Sequence, residues 1–294
     1  MPQRFNKMIE LLDQGQPVYN VLAKDVSYEG GRAMAQTWAD YIKVDMEHAP
    51  FDIRALDQFM RGLVDGGPTR SGHRIPAVVA EVPAEGVSAA EIRANAWMFK
   101  QVLARGVTGI NLCHAETPAA IKAFVEACRY PFHTIGSGPV LAEGRRGHGN
   151  AGEEDAAAIW GLSVEEYLQR ADVWPLNPHG ELMLGVKIEN RRALRNAERS
   201  ARVPGIGFAE WGSRDMAWSY GYAGYVDPPY PDDLETVRVR VFTACTQAGL
   251  FFHNAVSRDD VVSRLQQGVM IGNPRGDAEV AKIGRAYTKR TMPV

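Results

Sequence analysis

The chain has 294 residues, of which 45% are hydrophobic and 23% charged, with a formal net charge of −2. That balance is ordinary for a globular protein and excludes one built to grip nucleic acid through a basic face. No apolar run approaches the roughly 18 residues that cross a bilayer, so no membrane partner is expected.

The N-terminal Met1–Lys7 stretch has no apolar run behind it, which argues against a signal peptide. Cys113, Cys128 and Cys245 are an odd count without metal-ligand spacing, and they point to a reduced, cytoplasmic setting. Phe5 to Gln14 has the pattern of a short amphipathic helix, and Pro17 to Ala23 that of a first strand. Gly31 to Asp40 alternates small and aromatic residues at helical spacing and runs straight into a second strand, Tyr41 to Asp45. Phe51 to Leu63 carries apolar residues at a helical period until Gly66-Gly67-Pro68 breaks it. Ile75 to Val82 is a third strand; Ser88 with Glu91 starts a helix that is expected to run to Arg105. Val107 to Cys113 is a fourth strand and Thr117 to Cys128 a fourth helix.

Regularity then lapses from Pro131 to His179, with one helix expected over Ser163 to Arg170. Roughly fifty such residues are too many for a plain connection, so residues 132–180 read as an insertion that serves as loop, lid or oligomer contact. Leu182 to Glu189 is a fifth strand, Arg191 to Ala201 a helix and Ile206 to Glu210 a sixth strand. A helix from Leu234 to Ala248, a strand over 250–252, a helix from Asp259 to Gln267 and a last strand over 269–271 follow. Ala278 to Arg290 is either a barrel helix or an arm. About eight alternating units with near-continuous apolar strands predict one (β/α)8 TIM barrel over residues 1–294.

Such barrels build their sites where strands end. Here Asp45, Glu47 and His48 follow the second strand, Glu189 ends the fifth, and Asp215 lies just beyond the sixth. Each carboxylate alone reads equally as a helix cap or surface charge, but together they converge on one mouth. Two carboxylates with a nearby histidine suit an octahedral hard cation such as Mg²⁺ or Mn²⁺.

Asp45-Met-Glu-His48, Arg129-Tyr-Pro131, Gly144-Arg-Arg-Gly147, Lys187-Ile-Glu-Asn190, Val203-Pro-Gly-Ile-Gly-Phe208, Gly212-Ser-Arg-Asp-Met216 and Gly221-Tyr-Ala-Gly224 resemble, in this order, the HpcH/HpaI aldolase family. The resemblance spans about residues 4–272 and implies a phosphoenolpyruvate/pyruvate-type TIM barrel. It further implies a class II pyruvate aldolase using Mg²⁺, Mn²⁺ or Co²⁺, with Glu189 and Asp215 as metal ligands and His48, paired with Asp45, as the acid/base. Gly212, Ser213 and Arg214 would receive the substrate carboxylate. The implied reaction splits a 4-hydroxy-2-oxo acid into pyruvate, or a close 2-oxo acid, and an aldehyde. The implied assembly is a homo-oligomer, a hexamer or trimer of dimers.

Two positions depart from the family. An arginine is expected near the end of the third strand, where Ala80 or Glu81 stands, and a glutamine two residues before the metal glutamate, where Lys187 stands. Residues two apart share a face of a strand, so Lys187 is expected to point into the mouth with Glu189. There it either supplies the missing cation, paired with Glu81, or merely balances buried carboxylates. The lost arginine keeps open a decarboxylase or hydrolase acting on a related oxo acid; a non-catalytic oxo-acid-binding barrel is disfavoured because Asp45, His48, Glu189 and Asp215 are all present.

The remaining expectations are weaker. Trp211, beside the metal turn, is read as core packing or a subunit interface ahead of an aromatic wall for an aromatic or bulky aldehyde; Trp160, Trp174 and Trp218 carry the same readings. Arg145 and Arg146 either steer anions or are solvated, and His114 lines the mouth. Glu47 is expected to face away from His48 and to be structural, as is His253.

Overall fold

The computed structural model describes residues 4–149, 152–224 and 226–294. Among these residues nine strands form in chain order: β1 Val18–Leu22, β2 Tyr41–Asp45, β3 Ala77–Glu85, β4 Gly109–Cys113, β5 Val173–Trp174, β6 Leu182–Lys187, β7 Phe208–Glu210, β8 Phe251–Ala255 and β9 Ile271–Asn273. Every pairing is parallel, and β1, β2, β3, β4, β6, β7, β8 and β9 close into an eight-stranded barrel; the two-residue β5 adds beside β6. Helices follow the barrel strands, so the predicted (β/α)8 architecture is the observed one.

Strand alternation sets the layers. Ile42, Val44, Val78, Ala80, Val82, Ile110, Leu112, Leu184 and Val186 face outward into one core with Leu56, Phe59, Phe99 and Phe124 of the surrounding helices. Both faces of each strand are therefore buried, which explains the unbroken apolar runs. Inside, Val18, Tyr41, Val79, Met183, Phe208 and Ile271 pack with Met8, Ile9, Leu11 and Leu12 of the helix Lys7–Asp13, which closes the amino-terminal end of the barrel. Gly185 makes room for this filling, because a Cβ there would run into the Phe208 ring.

Two predicted helices are each divided at an asparagine. Ala89–Ala94 and Ala96–Leu103 break at Asn95, whose amide donates to the Glu91 carbonyl and carboxylate. Arg191–Leu194 and Ala197–Ser200 break at Asn196, which donates to the Glu116 carbonyl. Asparagine side chains compete with the backbone for hydrogen bonds, and that competition interrupts the helix. The last strand lies two residues later than expected, at Ile271–Asn273, and helices Glu153–Trp160 and Ser213–Ser219 were not foreseen. The first sits in a glycine-rich stretch and the second directly beyond a strand end, so neither offers a long periodic run.

The insertion packs at the amino-terminal end of the barrel, opposite the mouth. Trp160 stacks on Phe5 and donates to the Gly106 carbonyl, which precedes β4; Arg74, which precedes β3, donates to the Ile159 carbonyl. Its described residues therefore do not form a lid over the site. Arg145 and Arg146 are tied here too, their N–H groups donating to the Glu126 and Arg129 carbonyls. The Arg146 guanidinium is buried over the Tyr130 ring, 4.1 Å from its centroid, and donates to the Tyr167 hydroxyl. It has no access to a substrate at the mouth, so the steering reading is corrected.

Asp172 anchors this region: its oxygens accept from Arg129 Nε at 2.6 Å and Nη2 at 2.9 Å, and from Asn177 at 3.0 Å, with both charged partners buried. Removing one partner strands the other charge in the core. Asp172→Ala is expected to lower folding stability by about 3–5 kcal/mol, read as a fall in the urea midpoint, with little change in the chemistry at the far end of the barrel.

The helix Ala278–Tyr287 docks on its own barrel. Val280 and Ala281 pack with Tyr19 and Val261, and Arg285 donates to Asp40 at 3.0 Å. Of the two readings, barrel helix or arm, it takes the first within this chain. Among the described residues no helix is long and apolar enough to cross a membrane, and the three cysteines are buried free thiols.

Candidate active site

Above the apolar filling, the inward positions turn polar in register: Glu81 pairs with Asn111 across β3 and β4, Lys187 with Glu210 across β6 and β7, and Glu210 with His253 across β7 and β8. Their side chains join. Lys187 Nζ lies 2.6 Å from Glu47 Oε2 and 3.2 Å from Glu81 Oε1, and Lys43 Nζ lies 3.1 Å from Glu81 Oε2. Asn111 donates to Glu81 and Glu210, while His253 Nδ1 lies 3.2 Å from Glu210 and its Nε2 accepts from the Asn20 amide. Buried charges are tolerated when paired in this way.

Burial works to lower the Lys187 pKa, but the charges of Glu81 and other neighbours outweigh it and hold the group well above the ordinary lysine value. Lys187 is thus an ammonium, a fixed donor and positive charge rather than an amine nucleophile. For Glu210, burial is outweighed by His253, Lys43 and Lys187, which push its pKa far below the usual carboxylate range. The expected pairing of Lys187 with Glu81 is present; Glu81 itself is fully buried and is held by Lys187, Lys43 and Asn111.

At the end of β2 the chain turns over Asp45, whose Oδ1 accepts from the N–H groups of Glu47 at 3.0 Å and His48 at 2.9 Å. An aspartate at a strand end builds this turn with its own side chain. Asp45 Oδ2 lies 3.0 Å from His48 Nδ1, fixing an imidazole whose side chain is 63% exposed at the mouth. Burial raises the Asp45 pKa, but the His48 N–H and imidazole overcome this and hold it low.

Glu47 corrects the sequence reading. It does not face away: its Oε2 accepts from Lys187, and its carboxylate lies 3.6 Å from His48 Nδ1 and 3.9 Å from His114 Nε2. The turn over Asp45 breaks the strand alternation that placed Glu47 on the opposite side.

Glu189 is 1% exposed, just past β6. Its Oε1 accepts the His114 backbone N–H at 2.7 Å and lies 3.6 Å from His114 Nδ1. Burial pushes its pKa up to about 8, Lys187 and the His114 N–H pull it back, and Glu47 and Asp215 add repulsion. Asp215 sits in the first turn of the helix Ser213–Ser219, close enough for its charge to be felt at Glu189. A buried carboxylate so resistant to ionisation, with further carboxylates and an imidazole beside it, is a donor set that a divalent cation fits. Among the described residues, two triplets place their ligand atoms within 4.8 Å of one another: Asp45, Glu47 and His48; and Glu47, His114 and Glu189.

The Glu189 value carries a pH prediction. Its folded pKa is raised, so the metal-free fold keeps this contribution to stability below the ordinary value near 4.5 and loses it as pH climbs towards 8. A cation requires the ionised form, so binding should release close to one proton between those limits. Apparent metal affinity is expected to rise about tenfold per pH unit up to about 8 and then level, as read by calorimetry at several pH values.

Gly212 caps the helix Ser213–Ser219 without a side-chain cap, leaving first-turn N–H groups that no capping side chain takes up. A Cβ at Gly212 would collide with the Glu189 carboxylate. Its φ of −73° imposes no backbone demand, so the need for glycine is steric alone. Gly212→Ala is expected to displace Glu189 and weaken metal binding roughly ten- to a hundredfold, measured by metal titration beside thermal unfolding. Trp211 is 3% exposed, donates to Asn254 at 2.9 Å and packs edge-on against Tyr230. These contacts give Trp211 the packing role among its readings.

Comparison with known proteins identifies the family of this barrel. The family model described as HpcH/HpaI aldolase/citrate lyase matches residues 31–273. A hydroxypyruvate/pyruvate aldolase of Roseobacter denitrificans is 24% identical over 249 residues, covering 85% of this chain and 82% of that protein. A 4-hydroxy-2-oxovalerate aldolase of Rhodococcus jostii is 29% identical over 198 residues, 67% of this chain and 61% of that protein. The crystal structure of an HpcH/HpaI aldolase/citrate lyase family protein from Burkholderia cenocepacia J2315 superposes with a TM-score of 0.70 at 24% identity, covering 96% of this chain and 97% of that one. With the barrel, the strand-end carboxylates and a family match over most of its length, the chain belongs to the HpcH/HpaI aldolase/citrate lyase family.

Proposed function

We propose that the chain is a divalent-metal-dependent lyase that splits a 4-hydroxy-2-oxo acid into pyruvate, or a close 2-oxo acid, and an aldehyde, or joins them. The observation that carries this reading is the buried Glu189 carboxylate, whose ligand atom lies within 4.8 Å of those of Glu47 and His114, while Glu47 is in turn that close to Asp45 and His48. Glu189 and Asp215 would hold Mg²⁺, Mn²⁺ or Co²⁺. A bound divalent cation supplies Lewis acidity that stabilises negative charge on the 2-oxo oxygen as the carbon–carbon bond breaks.

The chain's own residues do the rest. Gly212, Ser213 and Arg214 form the turn that opens the helix Ser213–Ser219, where the family resemblance puts the substrate carboxylate. His48, with Nδ1 held by Asp45, takes the proton of the 4-hydroxyl as the C3–C4 bond opens and the aldehyde leaves. It then returns that proton to C3, completing the pyruvate methyl group. Lys187 keeps its positive charge beside the mouth and offsets the carboxylates and the charge that develops on the substrate. Phe132, Ile135 and Val140, three exposed apolar residues at the start of the insertion, support assembly as a homo-oligomer.

Proton exchange at the pyruvate methyl group tests the chemistry without an aldehyde partner. In D₂O, metal-loaded protein is expected to exchange these protons, His48→Ala to lose the exchange, and chelator to stop it. Absence of exchange with every metal would remove the reading.

A further inference from the structure

The ligand atoms gathered around Glu189 in this chain belong to His114 and Glu47, and Asp215 is in neither of the triplets that close to within 4.8 Å. His114 bridges the other two: its Nδ1 lies 3.6 Å from Glu189 Oε1 and its Nε2 3.9 Å from Glu47 Oε1. The oxygens of Glu47 divide their work, Oε2 accepting from Lys187 while Oε1 faces the imidazole. Three different strand ends, those of β2, β4 and β6, deliver these residues, so no local turn accounts for their meeting. His114 also holds a φ of +46°, which turns its N–H onto the Glu189 carboxylate. A non-glycine residue rarely adopts that left-handed geometry.

We propose that the divalent cation of this site takes an imidazole nitrogen from His114 as well as carboxylate oxygen from Glu189 and Glu47. The inference rests on the proposed metal dependence and adds the identity of two ligands. A nitrogen donor moves preference away from Mg²⁺, a hard ion that favours oxygen, towards Mn²⁺, Co²⁺ and Zn²⁺. Carboxylate oxygens and imidazole nitrogen bind such metals at about 2.0–2.2 Å. The three donor atoms already lie mutually within 4.8 Å.

The test uses the whole chain loaded with Mn²⁺ alone. Pulsed electron paramagnetic resonance of the wild type is expected to show the ¹⁴N coupling of a directly bound imidazole. His114→Gln should bind Mn²⁺ without that coupling, and His48→Gln should retain it. Co²⁺ affinity of His114→Gln is expected to fall roughly ten- to a hundredfold while Mg²⁺ affinity falls less. Bound Mn²⁺ with no nitrogen coupling in the wild type, or coupling that survives in His114→Gln, overturns the proposal. The wild-type spectrum alone decides the first point, whatever the folding of the variants. Failure of the wild type to bind Mn²⁺, Co²⁺ or Mg²⁺ would instead remove the metal-dependent reading on which the proposal rests.

Discussion

Glu189→Gln is expected to reduce kcat/KM by about a thousandfold or more, the loss of about 4 kcal/mol of charge stabilisation that a correctly held cation provides. Glutamine keeps the volume and can still accept the His114 N–H, so the fold should stand. The metal-free variant should even lose the pH-dependent cost of ionising a buried carboxylate, and so unfold no more readily than the wild type at pH 8. Metal titration, activity and thermal unfolding of one preparation separate these effects. Near-normal turnover with tightly bound metal would show that Glu189 is not a ligand.

The second large effect belongs to Lys187. Lys187→Met removes the cation shared by Glu47 and Glu81 and leaves a fully buried carboxylate with Lys43 as its remaining lysine partner. Stability is expected to fall by about 3–5 kcal/mol, the range seen when one member of a buried pair is removed. If Lys187 also stabilises charge in the reaction, kcat should fall about a hundred- to a thousandfold in the fraction that remains folded. The sequence left two readings open, catalytic cation or mere balance of charge. Unchanged kcat per folded, metal-loaded molecule would leave the second. A fall in kcat with metal affinity intact would establish the first.

Much of this was legible in the sequence because barrel strands obey a simple rule. The apolar runs at residues 41–45, 75–82, 107–113 and 182–189 are buried on both faces, and their polar terminal residues must lie at one end of the barrel. That rule directs attention to Asp45, His48, Glu189 and Lys187; the spacing of two along a strand puts Lys187 on the face of Glu189, and its expected pairing with Glu81 is present. The rule fails where the chain leaves the strand. Glu47 was assigned to the wrong side because the turn over Asp45 redirects it. His114 was seen as a mouth residue, but its approach to Glu189 depends on a positive φ that no neighbouring glycine announces. Asn111, Glu210 and His253 are ordinary residues in apolar runs, and only strand register brings them into one network. The insertion gave no periodic signal for its side of the barrel; long-range contacts such as Phe5 with Trp160 decide that.

The most direct test is pyruvate release from a series of 4-hydroxy-2-oxo acids, followed by coupled assay with protein first stripped by EDTA and then reloaded with Mg²⁺, Mn²⁺ or Co²⁺. Stripped wild type should be inactive, and a divalent cation should restore release of pyruvate and aldehyde in equal amounts from at least one substrate. Release of CO₂ in place of aldehyde from a related oxo acid would contradict the aldolase assignment in favour of decarboxylation. Pyruvate release indifferent to EDTA, or none from any substrate with any metal, would contradict metal-dependent aldol chemistry at this mouth.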